Sequence, residues 1–131
     1  MNDAPRPGHL ETYFTAAPPP GGWPARFGIV TAYNPGCEAR AAAANERADA
    51  ELLALLEGAG LAHFRTTNSA RDGSHSEPGY GIAAPSPEDV RPISRRFGQA
   101  AFYWVEAGRV CVINTDGRLR HPVGKWAERL L

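Results

Sequence analysis

The residues best suited to chemistry lie in a polar stretch, residues 68–79, where His75 and Glu77 stand two positions apart. An imidazole and a carboxylate are the usual pair for general acid–base catalysis when a cleft tunes their pKa values. The same spacing opens a zinc-deaminase signature, but no P-C-x-x-C motif follows it. Glu77 and His75 are therefore candidate proton-transfer residues. The alternative is that Glu77 caps a backbone group or pairs with Arg71.

Asn45 is a second candidate, because its amide falls on the apolar stripe of a predicted helix. A buried amide without partners costs about 1 to 3 kcal/mol. We therefore expect Asn45 to bond to the backbone turn at residues 33–36. The alternative is that its carboxamide faces a ligand held over that turn.

Cys37 and Cys111 are the only cysteines, too few for a disulfide-stapled secreted protein. They and the four histidines show no paired ligand spacing, so we predict no metal site. Cys37 precedes a predicted helix, whose amides favour a thiolate, and should react before Cys111. A catalytic Cys37 needs a base, and His75 is the histidine expected at that end. Residues 79–84 imitate G-x-G-x-x-A but lead into a strand, so no cofactor is predicted.

The composition bounds the class of protein. The 131 residues include 14 basic and 14 acidic side chains, so no net charge favours nucleic-acid binding. No apolar run approaches the roughly 20 residues of a membrane span, and the N-terminus lacks a signal-peptide pattern. We expect a soluble, cytoplasmic monomer or homodimer without membrane or nucleic-acid partners.

Hydrophobic patterning predicts five strands and two helices in the order β-α-β-β-α-β-β. The strands are expected at residues 27–33, 61–67, 80–84, 101–105 and 110–113, and the helices at 38–57 and 86–97. The first six elements match the ferredoxin-like split βαβ pattern. The predicted class is therefore α+β, an antiparallel sheet with a C-terminal extra strand and two helices on one face.

Three segments follow from the composition. Residues 1–24 hold six of the twelve prolines and form a Pro/Gly-rich arm, in which residues 9–14 can dock. Residues 25–114 form a single α/β sandwich domain, and residues 115–131 form a basic tail, with a short helix as a possibility. Strand direction alternates in this topology, so residues 33–36, 68–79 and 98–99 should meet at one end of the sheet.

Four motifs resemble a bacterial family, the domain-of-unknown-function family numbered 3293. They are T-A-Y-N-P at residues 31–35, an Asn-Glu pair at 45–46, E-x-x-Y at 77–80 and F-G-Q at 97–99 before an aromatic strand. The resemblance covers about residues 10–113, departs at Pro78-Gly79, and implies a shared fold without an established activity. Its marked positions supply the candidate ligand-binding residues: Tyr33, Asn34, Asn45, Glu77 and Gln99.

The leading hypothesis is a domain that binds a small polar ligand or a peptide at the end where these segments meet. Amides suit such partners because they donate and accept at once. We expect the side chains of Tyr33, Asn34, Glu77 and Gln99 to converge in one cavity. The first alternative is an enzyme in which Glu77, helped by His75, moves a proton while the amides hold the substrate. The second is an interaction module that uses an open sheet face or edge.

Overall fold

A computed structural model describes residues 4–131 of the chain. The helices are α1 (Pro7–Leu10), α2 (Ala42–Gly58), α3 (Arg91–Arg96) and α4 (Trp126–Arg129). The strands are β1 (Tyr13–Thr15), β2 (Arg26–Thr31), β3 (His63–Ser69), β4 (Glu77–Ala83), β5 (Ala101–Glu106), β6 (Arg109–Asn114) and β7 (His121–Lys125). None of the helices in this described part has the length and apolar character to cross a membrane.

The strands form one sheet in the order β1-β3-β4-β2-β5-β6-β7, and all neighbours are antiparallel. The predicted α+β class and the antiparallel sheet are confirmed, but the sheet has seven strands and not five. The additional strands β1 and β7 give weak sequence signals, since β1 has only three residues and β7 contains Pro122 and Gly124. The sheet curls, and a parallel bridge joins Phe14 of β1 to Leu130, the residue that follows α4.

Each face of the sheet is covered differently. On the helix face, Leu52 and Leu56 of α2 and Ile93 of α3 pack against buried strand residues such as Trp104. On the arm face, the strands are covered by aromatic residues from both ends of the chain: Phe14, Trp23 and Trp126. The period-2 alternation of strands places Phe102 and Trp104 on the helix face and Tyr103 on the arm face.

The helix expected at residues 86–97 is shorter, because a 3-10 turn at Pro87–Asp89 precedes α3. Two other boundaries, both near one end of the sheet, differ from prediction because polar contacts override the hydrophobic pattern. The helix expected from residue 38 begins at Ala42, since the Arg40 backbone N–H donates to Asn34 Oδ1 (3.1 Å) and its guanidinium to the Ala32 carbonyl (3.0 Å). The loop expected at 68–79 spans only residues 70–76, because Asn68 pairs with Glu77 across β3 and β4. Glu77 is thus a strand residue.

The pairing of β3 with β4 depends on a close approach at Gly81. A Cβ atom there would lie 2.2 Å from Cζ of Phe64, whose ring covers the neighbouring strand on the arm face. Side chains larger than hydrogen are therefore incompatible with this packing. Because the glycines of β4 have no side chains, aromatic residues can pack against the backbone in the middle of the arm face.

Candidate functional site

The ends of four strands meet beside a cavity of about 450 Å³. Strands β2 and β3 end here and β4 and β5 begin, as the pairs Thr31 with Gly79 and Asn68 with Glu77 show. The cavity lies on the arm face, with Ile29 and Tyr103 among its lining residues. Gly8 and His9 of α1 complete its wall.

The turn after β2 is held by reciprocal amide bonds. Asn34 has a left-handed backbone (φ 47°, ψ 63°), and its N–H donates to Asn45 Oδ1 at 2.9 Å. In return Asn45 Nδ2 donates to Asn34 Oδ1 at 2.8 Å. Arg40 Nε also donates to Asn45 Oδ1, and Asn45 Nδ2 reaches the Arg40 carbonyl. The Asn45 side chain, 4% exposed, is saturated by these bonds.

The same turn packs against the segment before β5. Gly98 has φ +66°, and a Cβ atom on it would lie 2.9 Å from Cβ of Pro35. Its carbonyl accepts a hydrogen bond from the Gly36 N–H at 2.8 Å. Only glycine combines this backbone conformation with this close approach. The T-A-Y-N-P and F-G-Q motifs therefore form one packed unit.

Gln99 extends this unit into the cavity. Its Nε2 donates to the backbone carbonyls of Tyr33 (3.0 Å) and Phe97 (3.1 Å), while Oε1 lies 3.0 Å from Thr31 Oγ1. Its own carbonyl accepts from Thr115 Oγ1 at 2.6 Å. Gln99 thus joins the turn, β2 and β5 and presents one face to the cavity.

Glu77 is the half-buried carboxyl group of the cavity. Asn34 Nδ2 donates to Oε2 at 3.3 Å, and Thr31 Oγ1 lies 3.4 Å from Oε1. The ion pairs formed by the described residues do not include Glu77. Burial raises the pKa of Glu77, and the hydrogen bond donated by Asn34 acts in the opposite direction. A carboxyl group buried without a cation is typical of functional sites.

The motifs that build this arrangement fall inside a known family. The family described as "Protein of unknown function (DUF3293)" matches residues 30–102, more than half of the chain. The chain belongs to this family. Neither the curated proteins nor the solved structures gave a match. The DUF3293 match covers the turn after β2, all of α2, Glu77 and Gln99, but not α1 or Tyr103.

The structure places the predicted residues of the DUF3293 region in two groups. Asn34, Glu77 and Gln99 line the cavity together with His75, which has a left-handed backbone (φ 53°). Asn45 and the half-buried Tyr33 are not among the lining residues, so only part of the expected convergence is present. Within the described residues, no group of three or more His, Cys, Asp or Glu side chains is arranged to hold a metal ion.

Three further cavity residues were not predicted as site residues: Thr31, Tyr103 and His9. The buried Tyr103 hydroxyl donates to Thr12 Oγ1 (2.7 Å) and lies 3.1 Å from the His9 carbonyl. Burial raises the pKa of Tyr103. His9 Nε2 lies 3.9 Å from Cys37 Sγ, so His9 and not His75 is the histidine beside this thiol. Burial, with the Arg6 charge, lowers the pKa of His9.

The signals for these residues were incomplete. The alternation of β5 separates Tyr103 from its neighbours, and the apolar residues at 9–14 indicate docking. Neither pattern says that α1 returns across the sheet to the DUF3293 turn, because that contact joins residues far apart in the chain.

Proposed function

We propose that this protein binds a small polar ligand or a peptide segment in the cavity formed by residues 33–36, 68–79 and 98–99. The observation that carries the proposal is Glu77, a half-buried carboxyl group that faces a cavity without a cationic partner. Keeping such a group desolvated costs folding free energy. A carboxyl group at this position is useful to the protein if a ligand forms hydrogen bonds with it.

The hydrogen bonds divide the candidate residues by role. Asn34 and Glu77 retain hydrogen-bonding capacity toward the cavity and are the proposed ligand contacts. The side-chain amides of Asn45 and Gln99 are hydrogen-bonded to the turn, so we assign these residues to holding Asn34 and Thr31 in place. Tyr33 contributes its carbonyl to the same bracing. His75 lies at the rim, where it can meet a bound ligand.

A second candidate function is proton transfer by Glu77, helped by His75. The raised pKa of Glu77 favours it, because a general acid must hold its proton near the working pH. In this case Asn34 orients the substrate and Glu77 supplies or takes the proton. The two functions use the same cavity and differ only in whether the ligand changes chemically.

A thermal-shift screen of small polar compounds and short peptides tests both. Compounds that raise the unfolding midpoint of the wild type are retested on Glu77→Ala, on Glu77→Gln and on Glu51→Ala, an exposed control on α2. Binding in wild type and control, with loss or weakening in Glu77→Ala, supports the cavity. Turnover that Glu77→Gln abolishes while binding persists supports the enzyme. A screen without any ligand, or hits insensitive to Glu77, contradicts the proposal.

Three further inferences accompany this function. The central order β3-β4-β2-β5, with α2 and α3 on one face, supports a ferredoxin-like split βαβ arrangement inside the larger sheet, in the predicted 25–114 domain. Cys37 and Cys111 are free thiols, which are typical of proteins in a reducing compartment, and they therefore support a cytoplasmic location. The balanced charge supports a protein that does not bind nucleic acid, and we propose that it acts as a monomer or homodimer.

A further inference from the structure

The hydroxyl hydrogen of Thr31 has two neighbouring acceptors. Thr31 Oγ1 lies 3.0 Å from Gln99 Oε1 and 3.4 Å from Glu77 Oε1. A hydroxyl group carries one hydrogen, so it cannot donate to both. The first distance is within the usual range for an O–H···O bond and the second is outside it. The distances therefore place the hydrogen on the line to Gln99.

The orientation of the Gln99 amide is fixed independently. Its Nε2 lies near two backbone carbonyl oxygens, those of Tyr33 and Phe97. The reversed amide would set Oε1 against both oxygens and lose two hydrogen bonds. Oε1 therefore faces Thr31, and since it has no hydrogen it must accept one. Thr31 consequently turns a lone pair toward Glu77.

This arrangement is unfavourable for an ionised Glu77, because both facing oxygens then present only lone pairs. A protonated Glu77 instead presents its hydrogen to the Thr31 lone pair, which replaces a repulsion between two oxygens 3.4 Å apart by an attraction and extends a chain toward Gln99. We propose that Glu77 holds a proton in the ligand-free protein to a pH well above that of an ordinary glutamate. We also propose that Gln99, which does not touch Glu77, keeps that proton there through Thr31. Gln99 is in this sense a positioning residue.

The surroundings of Glu77 offset this effect only through the 3.3 Å hydrogen bond that Asn34 donates to Oε2. Neither lysine nor arginine is among the cavity-lining residues of the described chain. Two arginines beside the turn use their donors on other acceptors: Arg6 Nη1 donates to the Gly36 carbonyl at 3.4 Å, and Arg40 donates to Asn45 Oδ1 and the Ala32 carbonyl. The titratable groups that line the cavity come from the arm, the turn, the loop and β5: His9, Glu11, Cys37, His75 and Tyr103. Desolvation acts in the same direction as the Thr31 lone pair.

A neutral Glu77 also defines a class of ligand, in a step that rests on the proposed function. With its proton directed to Thr31, Glu77 offers an acceptor at Oε2 beside the second amide hydrogen of Asn34. This pair is complementary to an uncharged group with a donor next to an acceptor, such as a carboxamide or a peptide group. A cation would first have to displace the proton, and the lining residues give an anion no lysine or arginine.

Carboxyl-carbon NMR titration tests the proton chain without a ligand. In the wild type, Glu77 is expected to titrate above the ordinary glutamate value of about 4.3. Thr31→Val removes the facing lone pair and Gln99→Met frees the Thr31 hydrogen for the carboxylate, so both lower the pKa of Glu77. Thr31→Ser retains the wild-type value. The control Thr67→Val, a half-buried threonine on the other face of β3, leaves it unchanged.

The direction of the Thr31→Val shift distinguishes the two hydrogen-bond arrangements. If Thr31 instead donates to an ionised Glu77, removing the hydroxyl raises the pKa, and the proposed chain is wrong. A wild-type Glu77 with an ordinary pKa also overturns it. Should Gln99→Met fail to fold, the pKa values of Glu77 in the Thr31 variants are sufficient to decide between the two arrangements.

Benzamide and benzamidinium, which share shape and differ in charge, test the ligand class. Below the measured pKa of Glu77, benzamidinium affinity is expected to fall about tenfold per pH unit, while benzamide affinity stays constant. Glu77→Gln abolishes that pH dependence. Tighter binding of benzamidinium, or binding of neither compound, overturns the carboxamide class. These outcomes are separate from the titration, so a raised pKa without any ligand refutes the binding function and leaves the proton chain standing.

Discussion

The Arg91 cluster under α3 and the Glu77 cluster beside the cavity satisfy their charged groups differently. Arg91, 3% exposed, donates to the Glu88 carboxylate at 3.0 Å and to the carbonyls of Asn114 (3.0 Å) and Thr115 (2.6 Å). Glu77 receives one amide hydrogen bond and has no cation among the described ion pairs. A buried ionisable group whose hydrogen-bonding positions are all occupied indicates a structural role. An ionisable group that has unused hydrogen-bonding positions and faces a cavity indicates a binding role.

Gln99 connects the two clusters. Its carbonyl accepts from Thr115, which belongs to the Arg91 cluster, and its side chain accepts from Thr31, which faces Glu77. Thr115 also exchanges a hydrogen bond with Ser94 of α3 at 2.9 Å. The Arg91 cluster thereby holds in place the residues that surround Glu77. The comparison predicts opposite effects of substitution in the two places.

The largest effect is expected at Arg91. Arg91→Met removes the donor to the Asn114 carbonyl and the shorter of two donors to the Thr115 carbonyl, and should lower the free energy of unfolding by about 2 to 4 kcal/mol. Urea unfolding measures it, with Arg96→Met on the exposed side of α3 as the control. Equal losses in the two variants would show that the Arg91 cluster is not the structural support inferred here.

Asn45→Leu should have the next largest effect, a loss of about 1 to 3 kcal/mol in the free energy of unfolding. The apolar side chain leaves the Asn34 N–H and the Arg40 carbonyl without their partner. The same urea measurement compares it with the neighbouring exposed substitution Glu46→Gln. An unchanged or higher stability of Asn45→Leu would remove the bracing role from this residue.

Glu77→Gln is expected to stabilise the protein at pH 7, by about 0.5 kcal/mol or more. Because the folded-state pKa of Glu77 is raised, the folded protein binds more protons than the unfolded chain above about pH 4.3. The stability that protonated Glu77 contributes to the wild type is complete below that pH and is lost as pH rises through the folded-state pKa. Glutamine mimics the neutral form, so the gain should vanish near pH 4. Thermal unfolding at both pH values measures the difference, and a less stable variant at pH 7 would contradict the comparison.

The sequence predicts the central strands, α2 and the position of α3, because the apolar residues in these segments recur with a strand or helix period. It also predicts that the turn after β2, the start of β4 and Gln99 share one end, since that follows from strand alternation. It does not predict β1, β7 or the role of His9. Those depend on pairing between the two ends of the chain, where prolines and glycines mask the strand pattern and long-range contacts decide the register.

The smallest effect distinguishes the two thiols and tests the cavity rim. Cys37 is exposed and lies beside His9, whereas burial raises the pKa of the half-buried Cys111. Iodoacetamide should therefore alkylate Cys37 at least about tenfold faster. His9→Gln should slow that reaction, because a largely neutral imidazole at 3.9 Å can accept the thiol proton, and His75→Gln should not. Mass spectrometry of the labelled protein gives both rates. Faster labelling of Cys111, or equal slowing by the two histidine variants, would show that α1 does not close the cavity beside Cys37.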